Sequence, residues 1–396
     1  MRHTCLIILL FVILSCNQSN NGLFEIDPRN FTDNKITLSE MSDNILYIPL
    51  DNSFPIGNTY TLRITINNIY LSIKDVGIIK FNRDGEFICK IGSRGRGPAE
   101  YSYGMDFAVD ERTGNVFVPD YGKVKIYYAG GSFIRDISYE GFIGGYGMSG
   151  GIETFNSLLF FPDYIMRGDS KHIWVFLDTL GNLVKKKENS VQPFHTDFSI
   201  EGSIYRFDNQ LFYYNLFNDT IFSISSDLSY QGAYLFAQGE HRWPRSIIGF
   251  SSESQLVSQL YRLFQPEKMF ETKHYIVLIY GYLDKAAISL IEKKTKRIFL
   301  AYKYQEAQKY YRKSKPWIQN DLDGGMPLTE INYLEEDGHE YITTLVNPFD
   351  LKVHVSSNEF INSAPKYPEK KKELEQLANS LKETDNPVLV LVRLKK

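Results

Sequence analysis

The sequence predicts an all-β fold, a six-bladed β-propeller with a C-terminal helix and a ring-closing terminal strand. The first observation behind this prediction is a recurring β-hairpin, found over residues 79–88 and again over residues 125–134. Each copy has a short strand, a polar turn with Gly, and a return strand with an aromatic residue two positions after the Gly. Recurrence of one supersecondary unit indicates a repeat architecture.

The second observation is the spacing of these hairpins. The turn glycines Gly85, Gly131 and Gly181 lie 46 and 50 positions apart. The later copies have their turns at Leu228, Thr295 and Gly338, at intervals of 47, 67 and 43 positions. Apart from the longest, these intervals match the ~40–50 residues of a four-stranded propeller blade. Six hairpins therefore predict six blades.

The third observation concerns the segments that interrupt the repeat. The longest interval contains apolar residues at helical spacing, which predicts a helical insertion over residues 252–264. Residues 368–383 have the pattern of a charged C-terminal helix with one apolar side. Residues 387–394 form a strongly apolar strand, which we expect to pair with a strand in the 45–50 region and so close the ring.

The first fifteen residues have the features of a bacterial signal peptide. Arg2 and His3 precede an apolar run that is too short to remain as a membrane-spanning helix and ends at Ser15-Cys16. Residues 13–16, Ile-Leu-Ser-Cys, resemble a lipobox, which implies cleavage before Cys16 and lipidation of that residue. An ordinary secretory signal followed by a chance cysteine is the alternative. The expected organisation is a signal peptide over residues 1–15, lipidated Cys16 with a polar tether over 16–35, and a propeller over 36–396.

Charge and cysteine content limit the classes of function. The 396-residue chain has a formal net charge of −3 and no long stretch of one sign, which argues against a nucleic-acid-binding surface. Cys5 would leave with the signal peptide and Cys16 would carry lipid, so Cys89 alone remains and no intrachain disulfide can form. We therefore expect packing, rather than covalent cross-links, to stabilise the fold.

Seven short segments spread over nearly the whole mature chain share a family pattern. They read YIPL (47–50), FNRDGEF (81–87), IGSRGRGPAEY (91–101), FAVD (107–110), NDTI (218–221), NDLDGG (320–325) and DNPV (385–388). The pattern resembles the six-bladed β-propeller lipoproteins of Bacteroidetes, which are similar in shape to NHL-repeat propellers. The third and fourth repeats depart from it, since they lack the Gly-rich connector and the fourth also lacks the turn Gly. The resemblance implies a propeller in the cell envelope and no particular activity.

The expected membrane face follows from the tether. Some lipoproteins of this type carry an acidic cluster after the lipidated cysteine that directs them to the cell exterior. This chain has no acidic residue between Cys16 and Glu25. By this resemblance we expect the periplasmic face of the outer membrane rather than the cell surface.

The Gly-rich connector over residues 92–101 is the first candidate ligand site. Its backbone N–H groups, together with Arg94 and Arg96 and close to Glu100, could form an anion-binding nest for a carboxylate or phosphate. It is not a P-loop, because no Lys-Ser/Thr pair follows the last Gly. The alternative is an inter-blade crossover, in which Gly allows tight turns and Glu100 pairs with an arginine.

The second candidate is the segment 320–325, where Asp321 and Asp323 alternate as acids do in some calcium loops. An EF-hand is excluded, because the twelfth position counted from Asp321 is Asn332 rather than Glu. A looser metal or polar-ligand site remains open, and so does an Asx-rich turn.

The third candidate is the cluster of His241, Arg242 and Trp243, which we expect on a rim loop of the ring. Loops on a rigid scaffold often carry function, and a solvated loop with a packed Trp is the alternative. The seven histidines are scattered, and no zinc-protease, Cys-x-x-Cys or nucleophile-elbow motif occurs. The sequence therefore identifies no catalytic residue and no cofactor, and a metal site assembled from different blades remains open.

Together these features favour a non-catalytic binding or interaction propeller, lipid-anchored to the outer membrane. Its partner would be a small ligand, a glycan, a peptide or an outer-membrane protein, and not a nucleic acid. The alternative is a metal-assisted lyase or hydrolase with its site at the central channel. One fold hosts many functions, so the fold alone cannot choose between these hypotheses.

Overall fold

Six antiparallel sheets of four ring strands each form the structure, a computed structural model, and they confirm the predicted propeller. The structure describes residues 22–32, 34–142, 151–162, 171–190, 202–216, 218–242, 259–260, 262–301 and 315–396. The predicted signal peptide, Cys16, Trp243 and most of the expected helical insertion at 252–264 lie outside the described residues.

Two strands near the N-terminus join blades that are completed later in the chain. They are β1 (Phe24–Ile26) and β2 (Ser42–Pro49). Between them lie a 3₁₀ turn (Pro28–Asn30) and the short helix α1 (Leu38–Met41).

Blades 1, 2 and 3 follow one another, and in each the consecutive strands pair antiparallel from the channel outwards. Blade 1 consists of β3 (Thr59–Ile64), β4 (Asn68–Ile73), β5 (Gly77–Asn82) and β6 (Phe87–Ile91). Blade 2 consists of β7 (Ala108–Val109), β8 (Val116–Asp120), β9 (Lys123–Tyr127) and β10 (Phe133–Ser138). Blade 3 consists of β11 (Glu153–Phe155), β12 (Leu158–Pro162), β13 (His172–Leu177) and β14 (Leu183–Glu188).

Blades 4 and 5 repeat this topology. Blade 4 consists of β15 (Gly202–Phe207), β16 (Gln210–Asn215), β17 (Thr220–Ile224) and β18 (Tyr230–Phe236). Blade 5 consists of β19 (Gln265–Glu271), β20 (Tyr275–Tyr282), β21 (Lys285–Glu292) and β22 (Ile298–Ala301). Strand β1 pairs in parallel with the outer strand β18 and becomes a fifth strand of blade 4. β1 lies within the range 16–35 that was assigned to the tether, and it covers a sheet edge that would otherwise be exposed.

Blade 6 contains strands from both ends of the ring. A two-stranded sheet of β23 (Trp317–Ile318) and β24 (Leu328–Thr329) precedes it. The blade consists of β25 (Asn332–Glu336), β26 (His339–Val346), β27 (Val388–Leu394) and, outermost, β2. Tyr47 of β2 lies opposite Val390 of β27, which confirms the predicted ring closure.

Three helices separate β26 from β27: α2 (Pro348–Val355), α3 (Asn358–Asn362) and α4 (Pro368–Ser380). Helix α4 is the predicted C-terminal helix and ends three residues earlier than residue 383. It buries Leu374 and Ala378 on its apolar side, as the periodicity predicts.

The turn glycines of the repeat have a structural reason. Gly85, Gly131 and Gly181 have φ angles of 86°, 90° and 92° at the turn between the third and fourth strands of their blades. A Cβ atom on Gly131 would lie 2.0 Å from the carbonyl oxygen of Lys90, in the outer strand of the preceding blade. Glycine therefore recurs because the turn packs one blade against the next with a left-handed backbone. Leu228 occupies this turn in blade 4 and keeps a positive φ of 63°.

The sixth predicted hairpin lies at a different place in its blade from the other five. Residues 333–338 belong to β25 and β26, the first and second strands, whereas the other copies join third and fourth strands. In blade 6 the third and fourth strands are β27 and β2, which are distant in sequence and so cannot be joined by a turn. The predicted number of six blades is nevertheless correct.

Buried aromatic side chains fill the spaces between blades. The ring centroids of Phe160 in blade 3 and Tyr213 in blade 4 lie 6.0 Å apart. Tyr101, in the connector after blade 1, lies 5.9 Å from Tyr127 of blade 2. All four side chains are fully buried. This packing fixes the first strand of each blade around the axis and thereby positions the side chains of the channel.

Candidate functional site

The first strands of all six blades enclose a central cavity of about 750 Å³. The cavity reaches the turns that follow β11 and β15, where Asn156, Asp208 and Asn209 line it. Ligand pockets for small molecules typically measure about 300–1,000 Å³. The centre of the ring is therefore large enough to hold a small ligand.

Four charged side chains from four blades line this cavity, and we call them the channel cluster: Arg63, Glu153, Arg206 and Lys268. Arg63 Nη1 lies 2.6 Å from Glu153 Oε2, and Arg206 Nη2 lies 3.1 Å from Glu153 Oε1. Glu153 thus receives one arginine on each carboxylate oxygen. The two ion pairs connect blades 1, 3 and 4 across the channel.

The two arginines make further contacts at the channel wall. Arg63 Nη2 donates to the carbonyl oxygen of Ile152 at 2.8 Å and lies 3.4 Å from Asp106 Oδ1. Arg206 Nη2 also donates to Thr154 Oγ1 at 2.9 Å. These contacts hold both guanidinium groups in fixed positions.

The network keeps its members charged. Burial alone would raise the pKa of Glu153, but Arg63 and Arg206 outweigh this effect and hold the pKa below its usual value. Burial alone would lower the pKa of Arg63, but the carboxylates of Glu153 and Asp106 raise it above its usual value. Glu153 is therefore ionised and Arg63 protonated at neutral pH.

Lys268 is the third cation of the cavity. It lies half-buried on β19, and its ammonium group donates to Asn332 Oδ1 on β25. Burial lowers the pKa of Lys268 to about 8, and the nearby positive charge of Arg63 adds to the effect, while Glu330 opposes it. The surroundings of Lys268 therefore stabilise its positive charge less well than water does.

Aromatic rings form part of the cavity wall. The rings of Phe270 and Tyr333 are stacked with centroids 5.9 Å apart, and Tyr205 stacks on Phe212 at 4.7 Å. Tyr205, Phe270 and Tyr333 line the cavity. The Tyr205 hydroxyl donates to Glu271 Oε1 at 2.9 Å, so this hydroxyl is already engaged. The wall therefore offers flat apolar surfaces beside the cations.

Several buried donors at the cavity have no partner among the described residues. They are the Nε atoms of Arg63 and Arg206 and the hydroxyl of Thr343. A buried polar group without a partner costs about 1–3 kcal/mol. The described part of the chain leaves these donors unpaired, and they lie inside the wall of the channel with almost no solvent-accessible surface.

The acids at the cavity are distributed differently from the cations. Glu111, Asp208 and Glu335 also line the cavity, but all three are exposed to solvent. Glu153, with 17% of its side chain exposed, is the shielded carboxylate of the lining. Among the described lining residues, the three cations are thus partly buried, whereas three of the four acids are exposed to solvent.

The Gly-rich connector lies away from the cavity lining, where it joins the outer strand β6 to the inner strand β7. Arg94 pairs with Asp75, and its Nε donates to the carbonyl oxygen of Ser102 at 2.9 Å. Glu100 accepts a bond from the backbone N–H of Gly97 at 2.8 Å, and Arg96 is exposed. This is the geometry of an inter-blade crossover, and anion binding by these residues stays a prediction.

Asp321 and Asp323 lie in a second polar group, which we call the anchor cluster: Ser39, Tyr47, Asn320, Asp321 and Asp323. Asp321 accepts from the backbone N–H of Ser39 at 2.7 Å and from its hydroxyl at 2.6 Å. Asp323 accepts from the Tyr47 hydroxyl at 2.7 Å and from the Asn320 amide at 2.8 Å. The cluster joins α1 and β2 to the segment 320–325. Ligand binding at these aspartates remains a prediction.

Arg242 is buried between blades 4 and 5. Its Nε lies 3.2 Å from Asp219 Oδ1, and its guanidinium lies 5.0 Å from the centroid of Phe236. Burial, followed by the positive charge of Arg29, lowers the pKa of His241. His241 and Arg242 thus lie within packed surroundings, and their predicted role in ligand binding is untested.

The channel cluster was not predicted from the sequence, because its members lie on four different strands with no common local motif. The sequence does contain one sign of its two arginines. Arg63 and Arg206 each occupy the next-to-last position of the first strand of a blade, a strand that faces the axis. Aligning the six blades by their first strands would have revealed this repeated cation.

Two features of the described residues bear on the expected alternatives. They contain no group of three or more His, Cys, Asp or Glu that could hold a metal ion. Among their helices, none is long and apolar enough to cross a membrane.

Comparisons with known proteins agree with the fold. A family model described as "Domain of unknown function (DUF4934)" matches residues 23–393. A Bacteroides fragilis protein that has been inferred to be exported has a similar structure, with 18% identity and a TM-score of 0.66, over 94% of this chain and 100% of that one.

Two further structures match this chain with lower TM-scores. A DUF4221-family protein from Bacteroides vulgatus is 12% identical with a TM-score of 0.45, over 89% of this chain and 97% of that one. Virginiamycin B lyase from Staphylococcus aureus is 12% identical with a TM-score of 0.42, over 76% and 96%. A comparison with curated proteins gives no significant match.

Proposed function

Since the chain belongs to the DUF4934 family, whose description states no function, we propose a function from its central channel. The protein is a non-catalytic binding propeller of the cell envelope that holds a small ligand in the cavity formed by its six blades. The observation that carries this proposal is the channel cluster, in which charged side chains from four blades line one cavity. A cavity of this size with few convergent polar groups and aromatic walls is the usual form of a small-molecule site.

The cations of the cavity support binding. Arg63, Arg206 and Lys268 come from three blades and line one cavity, and the side chains of the two arginines are 24% and 39% exposed. A ligand with acceptor atoms can therefore reach positively charged groups from inside the cavity.

The test is isothermal titration of the purified protein against panels of glycans, short peptides and small organic acids. Arg206→Ala is compared with Arg96→Ala, which removes an exposed arginine from the Gly-rich connector instead. We expect a ligand whose affinity falls at least tenfold in Arg206→Ala and is unchanged in Arg96→Ala, with both variants melting as folded proteins. Loss of binding in Arg96→Ala alone would move the site to the connector, and no binding by any panel member would overturn the proposal.

The proposed location is the periplasmic face of the outer membrane, with a lipid anchor on Cys16. The lipobox-like residues 13–16 support it, as does the structural similarity to a protein that has been inferred to be exported. We expect Cys16→Ala to move the protein from the membrane to the soluble fraction, and protease added to intact cells to leave the wild type uncleaved. Membrane retention of Cys16→Ala would exclude the anchor, and cleavage on intact cells would place the protein on the cell surface.

The proposed location also defines the accessible partners, which are soluble ligands of the periplasm, glycans, peptides and outer-membrane proteins. For the metal-assisted lyase or hydrolase, no observation on the described residues favours that alternative over binding. Metal analysis of protein purified without chelator tests it directly.

A further inference from the structure

We infer that the cavity ligand is a ring-containing carboxylic acid whose carboxylate is bound by Arg63, Arg206 and Lys268. This inference rests on the proposed binding function and specifies the class of its ligand. It follows from the ion pairing of the cations, the exposed acids and the walls of the cavity.

Lys268 differs from the two arginines of the cavity in its ion pairing. Arg63 and Arg206 both pair with Glu153, and Arg63 also lies 3.4 Å from Asp106. Lys268 lines the same cavity and forms no ion pair with a described residue, although Glu330 is near enough to oppose the lowering of its pKa. A carboxylate carries the single negative charge that would pair with Lys268, whereas a phosphate monoester carries nearly two.

The ion pairs also indicate where the ligand carboxylate lies. Glu153 is shared between the two arginines, and Asp106 contacts Arg63 alone. Lys268 has an uncharged partner, Asn332, as its hydrogen-bond acceptor. We therefore place the ligand carboxylate on the Lys268 and Arg206 side of the cavity.

Both arginines are accessible from the cavity. Their side chains are 24% (Arg63) and 39% (Arg206) exposed. A carboxylate has two oxygens and about four acceptor positions, so it can accept from guanidinium groups and from an ammonium together. A neutral hydroxyl would satisfy at most part of this set and would leave Lys268 without an ionic partner.

The walls define the body of the ligand. Tyr333, Phe270 and Tyr205 line the cavity, and Tyr333 is the most accessible of them, since Phe270 and Tyr205 are only 2% and 8% exposed. An aromatic ring packs well against other rings, including the apolar faces of sugars. A cavity of about 750 Å³ has room for one or two six-membered rings. Sugar acids and aromatic acids both have this form.

The exposed acids of the cavity limit the charge of the ligand. Glu111, Asp208 and Glu335 would repel a second or third anionic group placed towards solvent. A single carboxylate at the inner end of the ligand avoids this repulsion. The arrangement therefore favours a monoanion over a polyanion.

The experiment compares acids with their uncharged counterparts. Galacturonate, glucuronate, their disaccharides, 4-hydroxybenzoate and phenylacetate are titrated into the purified protein, each beside its methyl ester. The ester keeps the ring and removes the charge. We expect at least one acid to bind at least tenfold more tightly than its ester, with sulfated and phosphorylated sugars binding more weakly than that acid.

Two lysine variants locate the effect. Lys268→Met should weaken the acid at least tenfold and leave the affinity of the ester unchanged. Lys125→Met is the matched control. Lys125 lies in blade 2, away from the cavity, and is buried, at 7% exposure. Its ammonium group donates to the carbonyl oxygen of Pro98 in the Gly-rich connector. This control should bind the acid as the wild type does.

The outcomes separate this inference from the proposal on which it rests. If esters or neutral sugars bind as well as acids, or if Lys268→Met binds the acid unchanged, the cavity binds ligands but the carboxylate assignment is wrong. A preference for sulfate or phosphate esters also overturns the assignment. If no member of this panel or of the glycan and peptide panels binds, the binding function itself fails.

Discussion

The two polar clusters of this propeller differ in how completely their members are paired. In the anchor cluster, both carboxylate oxygens of Asp321 and of Asp323 accept hydrogen bonds from the chain. In the channel cluster, Arg63 and Arg206 keep buried N–H groups without acceptors. A buried network that only holds the fold together is expected to be fully paired, because each missing partner lowers stability.

This difference separates architecture from function more clearly than residue type does. Asp321 and Asp323 attract attention in the sequence because acids alternate there, yet each already has its full set of protein partners. The channel cluster has no visible motif, yet it retains charge and donors that the described residues do not satisfy. Four experiments can sharpen or break the comparison.

The largest effect is expected from Asp323→Ala in the anchor cluster. Asp323 is fully buried and accepts from Tyr47, Asn320 and the backbone N–H of Gly325. Its removal leaves three buried donors without an acceptor, which should lower the free energy of unfolding by about 3–5 kcal/mol. Chemical denaturation measures this change, and ligand affinity should not change. Asp323→Asn, which keeps an acceptor oxygen, is the control; equal loss in both variants would contradict the explanation.

A somewhat smaller loss is expected from Glu153→Gln in the channel cluster. The substitution removes the charge shared by Arg63 and Arg206 and leaves two partly buried cations with one acceptor between them. We expect the free energy of unfolding to fall by about 2–4 kcal/mol. Glu335→Gln, at an exposed position of the same cavity, should leave stability unchanged. If Glu153→Gln leaves the free energy of unfolding unchanged, the two arginines do not need this carboxylate to remain stable in the folded protein.

Lys268→Met should raise the free energy of unfolding, whereas the two preceding substitutions should lower it. The pKa of Lys268 is lowered to about 8 from 10.5 by burial, so the folded protein holds this charge at a disadvantage at pH 7. The charged groups around it, Arg63 and Arg206 against Glu153 and Glu330, do not remove that disadvantage. We expect the variant to be more stable by about 1–3 kcal/mol at pH 7, after allowance for its partial exposure to the cavity.

The pH dependence gives this prediction a second readout. Between pH 8 and 10.5 the unfolded chain keeps the Lys268 proton and the folded chain releases it, so the wild type gains stability with rising pH relative to Lys268→Met. Denaturation of both proteins at pH 7, 9 and 10.5 should therefore show a shrinking difference. A constant difference would mean that Lys268 is not held at an electrostatic cost.

The smallest effects come from a pair of hydroxyl deletions. Tyr47→Phe removes a hydroxyl that donates to Asp323 at 2.7 Å, and it should lower the free energy of unfolding by about 1–2 kcal/mol. Thr343→Val removes a buried hydroxyl without a partner and should leave stability unchanged or raise it by up to about 1 kcal/mol. Thermal unfolding of both variants resolves the two cases. Similar losses in both would erase the distinction between the clusters.

The fold was predictable because its signal is local and repeated. The turn at Gly131 needs a positive φ and has no room for a Cβ next to Lys90, so the residue type reports the contact between blades. The strand at 388–394 was equally visible, since seven consecutive residues are almost all apolar. Helix α4 was recognisable from its periodicity for the same reason.

The channel could not be found in this way, because a propeller brings together residues that are one blade or more apart. Arg63 and Glu153 are 90 positions apart, and Arg206 is a further 53 positions along the chain. Each is an ordinary charged residue in its own strand, and its role appears only when six strands meet around one axis. Strand β1 could not be predicted for a related reason. It has only three residues, and its partner is the outer strand of blade 4, which is distant in sequence.

The split of blade 6 affects how the chain folds during its synthesis. Arg393 of β27 bonds to Asp43 of β2 at 2.7 Å, although 350 positions separate them, so β2 leaves the ribosome long before its partner strand exists. Until β27 is made, β2 has no partner strand and β26 keeps one edge unpaired, and other chains can use such edges as templates for aggregation. A chain that ends before β27 cannot cover these two edges, so we expect it to aggregate more readily than the full chain.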